Sequence, residues 1–151
     1  MKGDRVPNTD HITRYCSGGR VKRDGSISGE AFRLRQLAGY TEEYLSVNWL
    51  EHLGKNSREE EIAQIQGVLA AKFTGGIRPS ARIALLNVGE TLDHVRNNSE
   101  DSRNLQVLHE PASGPPPDPS HSGIHGLRLE DALIGDLIAM TVKEVYPAKG
   151  S

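Results

Sequence analysis

SREEEIAQIQGVLAAKF, residues 57–73, and ARIALLNVG, residues 81–89, lie one short link apart, and together they decide the fold class. Ser57 stands three residues ahead of Glu60, the spacing at which a hydroxyl and a carboxylate cap the first turn of a helix reciprocally. Ile62, Ile65, Val68, Leu69 and Phe73 then recur on one helical stripe. Acidic residues crowd the first turn and Lys72 sits in the last, as the helix dipole favours, and Gly75-Gly76 ends the pattern. Residues 81–89 are instead a nearly continuous apolar run of strand length, the mark of a strand covered on both faces. The pair predicts a helix over 58–73 packed on a sheet that contains residues 82–88.

Outward toward the N-terminus, EEYLSVNWLEHLG alternates Leu45, Val47 and Trp49, a further strand that can run into a helical turn closed by Gly54. HITRYC reads as a short extended segment. AFRLR alternates Phe32 and Leu34 with Arg33 and Arg35, the period of a half-buried strand, so these two segments are expected to form a hairpin-like pair. The glycine-rich stretch between them, with Gly18-Gly19 and Asp24-Gly25, supplies the turns. Residues 1–9 are polar, contain a proline and read as an arm.

Toward the C-terminus, ETLDHVRNN is a short helix and LQVLHE a strand. PASGPPPDPSHSGIHG, residues 111–126, has five prolines and three glycines, too many for the interior of either element, and is expected to be a long loop or lid. LEDALIGDLIAMTVKEVYP predicts a terminal helix that buries Leu129, Leu133, Leu137 and Met140 and is stopped by Pro147. Helices and strands alternate in part after an opening group of strands. The expected fold is one α+β domain spanning residues 1–151, a mixed or mostly antiparallel sheet of about five strands on two main helices; a doubly wound α/β sheet is the alternative.

A chain of 151 residues suits one domain, which buries about 68–70% of its unfolded surface. With 36% hydrophobic and 5% aromatic residues, its core must be aliphatic and modest. The net charge of −2 excludes a global nucleic-acid signature, but the distribution is uneven. Residues 1–35 hold eight basic and four acidic side chains, leaving ten and sixteen for the rest, so an anionic ligand is best sought near the N-terminal third. The single cysteine forms no internal disulfide, no apolar leader stands in the first twenty residues, and no stretch reaches the roughly 18 apolar residues of a membrane span. The reading is soluble, cytoplasmic, with no membrane partner.

No motif is diagnostic, and the candidate residues form overlapping sets. His121 and His125 stand in the long loop, where imidazoles can act as acid, base or ligand. With His11 and Cys16 they make a thiolate and three imidazoles suited to zinc, although neither the H-x4-C nor the H-x3-H spacing belongs to a known zinc motif. Cys16 beside Arg14, Arg20 and Lys22 can be a nucleophile with His121 or His125 as its base, or simply a buried core residue. His11, Arg14, Arg33 and Arg35 on neighbouring extended segments can cradle a phosphate, or point to solvent. NVGET has one glycine and lacks a phosphate-loop pattern. The expectation is a small accessory domain that binds a protein or an anionic, phosphate-bearing ligand. The alternative is a small hydrolase or transferase acting on a nucleotide or RNA through His11, Cys16, His121 and His125, with or without zinc; no other cofactor is indicated. In either case His121 or His125 is expected within side-chain reach of His11 or Cys16.

Overall fold

The computed structural model describes residues 1–150. Ser57 caps the first long helix as expected: its hydroxyl accepts from Glu60 N at 3.2 Å. In chain order the elements are β1 (His11–Cys16), β2 (Gln36–Leu37), β3 (Tyr40–Thr41), β4 (Leu45–Trp49), α1 (Arg58–Lys72), β5 (Arg82–Asn87), α2 (Val88–Asn98), β6 (Gln106–His109), β7 (His121–His125), α3 (Ala132–Ala139) and β8 (Glu144–Pro147). Single 3-10 turns occupy Gly18–Arg20, Gly29–Phe32 and Glu51–Leu53. Six strands form one sheet in the order β6-β7-β4-β1-β5-β8, antiparallel at every pairing, and β2-β3 form a separate hairpin. The chain is thus an α+β domain whose main sheet has one strand more than expected and is not doubly wound.

β5 lies between β1 and the edge strand β8, and its side chains are apolar on both faces. Ile83 and Leu85 pack with Ile62, Ile65 and Leu69 of α1, while Ala84 and Leu86 join Ile12, Val47, Ile124 and Phe32 on the other side under α2, α3 and the Gly29–Phe32 turn. α1 covers only the part of its face around β5, leaving the polar side chains of β4 and β7 beyond its C-terminal end. No helix is long and apolar enough to cross a membrane.

Four local expectations are corrected. AFRLR is no strand: Ala31 and Phe32 close a 3-10 turn buried against the sheet, and β1 takes β4 and β5 as neighbours instead. The loop at 111–126 ends at Ser120, because HSGIH is strand β7, paired with β4 on one edge and β6 on the other. Residues 3–6 are pinned along β6, with Val6 N donating to Val107 O at 2.9 Å and Val6 itself buried.

The terminal helix is short and turns a different face to the core, where Leu137 alone of the four expected residues packs in part. Ile134 and Ile138 are buried, whereas Leu133 is 71% and Met140 70% exposed. Gly135 sets this orientation: a Cβ there would stand 2.6 Å from Gly29 O, so only glycine lets α3 lie on the 3-10 turn. Beyond Ala139, the Thr141 hydroxyl bonds Ile138 O and Thr91, and the chain turns into β8.

Candidate functional site

The sheet opens where two strands part. β1 pairs with β5 along its whole length but with β4 only at Ile12 and Thr13, while β4 stays on β7 from Leu45 to Asn48. Arg14 to Cys16 and Leu45 to Val47 therefore share no ladder. Buried backbone carbonyls need donors, and Arg14 supplies them across the gap: its Nη1 donates to Ser46 O at 2.9 Å and its Nε to Ala31 O at 2.8 Å. Among the described residues this buried guanidinium has no carboxylate partner, and burial pushes its pKa down to about 10.

The gap widens into a cleft of about 330 Å³. Thr13, Arg14, Ser46 and Asn48 line it from the strands, Ser17, Arg20 and Arg35 from the loops after β1, Leu69, Lys72 and Phe73 from the end of α1, and His121 from β7. Of the four cationic side chains, Arg35 is matched by Glu42, with Nη2 donating at 3.0 Å, and Lys72 donates to Asp118 at 2.5 Å. Arg14 and Arg20 have no acidic partner among the described residues.

Asp118 anchors the far side. It is fully buried and accepts from Lys72, from Asn48 Nδ2 at 2.9 and 3.1 Å, and from the Ser120 hydroxyl. Burial alone would raise this carboxyl. The bonds from Lys72 and Asn48 and the lysine's charge outweigh it and hold the group below its ordinary range.

Three polar atoms at the cleft have no protein partner. Thr13 Oγ1 is buried and unbonded. Asn48 donates through Nδ2, and its Oδ1 accepts from no protein group. His121 Nδ1 lies 2.8 Å from Glu110 O; a carbonyl can only accept, so Nδ1 carries a proton and Nε2 of the neutral ring is an acceptor. The cleft thus combines two cations without an acidic partner and polar atoms without a protein partner on the sheet, a setting suited to an oxyanion with polar neighbours.

The sequence candidates are dispersed. Arg14, Arg35 and His121 line the cleft; Arg33 does not, and its Nε is buried without a partner near Gly135 of α3. Cys16 lies on the other face of the sheet, in the core with Ile12 and Leu86, and burial pushes its thiol up to about 11. At neutral pH it is a thiol, not the thiolate a nucleophile requires. His11 Nδ1 lies 2.7 Å from Glu51, and His125 Nε2 lies 2.8 Å from Glu110. No two of His11, Cys16, His121 and His125 share a hydrogen bond. Among the described residues no group of three or more His, Cys, Asp or Glu side chains gathers where it could hold a metal, so the zinc set does not assemble.

Sequence reasoning assigned other roles to residues that line the cleft. Lys72 served as a dipole cation and Phe73 as core, whereas Phe73 is 39% exposed and stacked on Tyr15. Asp118 carried no role at all. The only local hint was the small pair Ser122-Gly123: a Cβ at Gly123 would strike the Tyr44 ring, which stacks beside His121 and His125. Comparison with models of protein families, with curated protein sequences and with solved structures finds no significant match to this chain.

Proposed function

We propose that the chain is a small cytoplasmic binding domain whose ligand is an anion bearing phosphate groups, held in the cleft where β1 and β4 part. The observation that carries this reading is Arg14, a buried guanidinium bonded to two backbone carbonyls and to no carboxylate, opening on a cleft that also holds the unpaired Arg20. Burial, which pushes the Arg14 pKa down to about 10, disfavours the charged form in the folded state. An anion in the cleft would offset that penalty, so ligand binding and added stability go together.

Titration calorimetry with inorganic pyrophosphate tests it. Pyrophosphate is expected to bind, to raise the melting temperature, and to bind more weakly as salt rises. Arg20→Ala should weaken it about tenfold, the loss of one charge-assisted bond. No binding at millimolar pyrophosphate, or equal binding by the wild type, Arg20→Ala and Arg14→Lys, overturns the reading.

The hydrolase or transferase reading has less support, since His121 alone of its four proposed groups lines the cleft. A protein partner is favoured by a separate feature. Leu133 and Leu137 line a groove of about 480 Å³, whose rim carries Glu100, Asp101, Glu130, Asp131 and Asp136 against Arg103 alone, and the exposed Met140 follows on the same helix. An apolar stripe with an acidic border suits a basic amphipathic helix and repels an anionic membrane surface. A basic amphipathic peptide is expected to bind in fluorescence anisotropy and to be lost to Leu133→Asp. Equal affinity for an acidic peptide with the same apolar residues would discard this surface, as would a self-association that Leu133→Asp abolishes.

A further inference from the structure

We infer that the ligand of the cleft is a free nucleoside phosphate, with its phosphates on Arg14 and Arg20 and its base on the Phe73 ring. This rests on the anion reading above and deepens it. Phosphate recognition alone accounts for the cations but leaves three features of the same cleft without a purpose.

The first is Phe73. It ends α1 as the cap residue, packs on Tyr15 with ring centroids 4.7 Å apart, and still leaves 39% of its surface open at the cleft. Phe73 and Tyr15, tilted 32° to one another, both line the cleft, and every nucleobase has a π-face to lay on such an aromatic surface. The second is the set of acceptors, Asn48 Oδ1 and His121 Nε2, which matches the hydroxyls of a ribose or the N–H groups of a base rather than the oxygens of a phosphate. The third is the unbonded Thr13 hydroxyl, which can donate or accept.

Size and charge narrow the source. At about 330 Å³ the cleft stands near the bottom of the range of about 300–1,000 Å³ for small-molecule sites, the scale of a single small ligand. Sixteen acidic side chains against ten basic ones beyond residue 35 make the rest of the molecule a poor track for a polyphosphate backbone. The geometry therefore points to a free mononucleotide rather than to the end of a nucleic acid.

Calorimetry on the full chain separates these statements. Inorganic pyrophosphate is compared with ADP, GDP, CDP and UDP, and with a tetranucleotide phosphorylated at its 5′ end. At least one nucleoside diphosphate is expected to bind about tenfold more tightly than pyrophosphate, the increment one stacked base supplies. Phe73→Ala and Phe73→Leu should both remove that increment and leave pyrophosphate affinity within twofold; the leucine keeps an apolar side chain against Tyr15, so an intact pyrophosphate titration reports an intact cleft. Arg20→Ala should weaken both ligands together. If pyrophosphate binds and no nucleoside diphosphate binds more tightly, the nucleotide assignment fails while the anion reading stands; if neither binds, both fail. A tetranucleotide that binds more tightly than every diphosphate overturns the assignment to a free nucleotide.

Discussion

Asp118→Ala is expected to lower stability by about 3 kcal/mol, one of the two largest effects of a single substitution outside the apolar core. Asp118 is fully buried and is the shared acceptor of Lys72, Asn48 and Ser120. Removing one member of such a buried pair costs about 3–5 kcal/mol, because the remaining charge loses its compensation. Lys72 is 30% exposed and can turn its ammonium to water, which places the cost at the lower end. Asn48 cannot do so, and its buried amide would keep only the Ser120 hydroxyl as a partner. Urea unfolding at neutral pH measures the effect, and a loss below about 1 kcal/mol would show that the cluster is not held as described.

The same carboxyl sets a pH dependence. Its folded pKa lies below the ordinary carboxylate value, so its contribution is complete above that value and is lost as pH falls through the folded pKa. Lys72→Ala removes one of the bonds and the charge that hold the carboxyl down, so its pKa rises and the stability lost on acidification below about pH 4 should be smaller than in the wild type, as urea unfolding at acid and neutral pH measures.

Gly29→Ala is expected to cost about 3 kcal/mol, the top of the usual range for overpacking. A Cβ at Gly29 would stand 2.9 Å from both Asp136 N and Cα, and closer still to the Asp136 carboxylate. The carboxylate could swing away, but the backbone of α3 could not. The helix would have to lift off the Gly29–Phe32 turn, taking the buried Ile134 and Ile138 with it. Gly19→Ala is the control, since a Cβ there meets nothing within 4 Å and should change stability by no more than about 0.5 kcal/mol. Equal melting temperatures for the two variants would contradict the close approach of turn and helix.

These two sites also mark where sequence reasoning stopped. α1, β5, β4, β1 and β6 were legible because each carries its own signal: a capping box with a helical stripe, an unbroken apolar run, or a period-2 alternation. β7 was hidden because HSGIH has the composition of a loop. Its Ser122 and Gly123 are small for a reason that lies elsewhere, in the Tyr44 ring that covers Gly123. AFRLR has the period of a strand, but Arg14 donates to Ala31 O and the segment turns where a strand would have run straight on.

The cleft was half legible. An excess of positive charge in residues 1–35 is a property of the chain, and it drew notice to Arg14 and Arg35, both of which line the cleft. Their neighbours Lys72, Asn48, Asp118 and Phe73 come from other parts of the chain and met only through folding. Cys16 and His121 were grouped as reactive types, although strand alternation and pairing set them on opposite faces of one sheet.

The amino-acid sequence by itself determined which segments would be helix or strand wherever the apolar period matched the element, the α+β class, and the charge asymmetry, because these follow from neighbours a few residues apart. Only the tertiary structure decided which strands are adjacent, which face of α3 is buried, and that β1 and β4 part after two pairs to admit Arg14. Each of those outcomes depends on contacts between residues tens of positions apart, such as Gly29 with Gly135 or Asn48 with Asp118, and no local period records them.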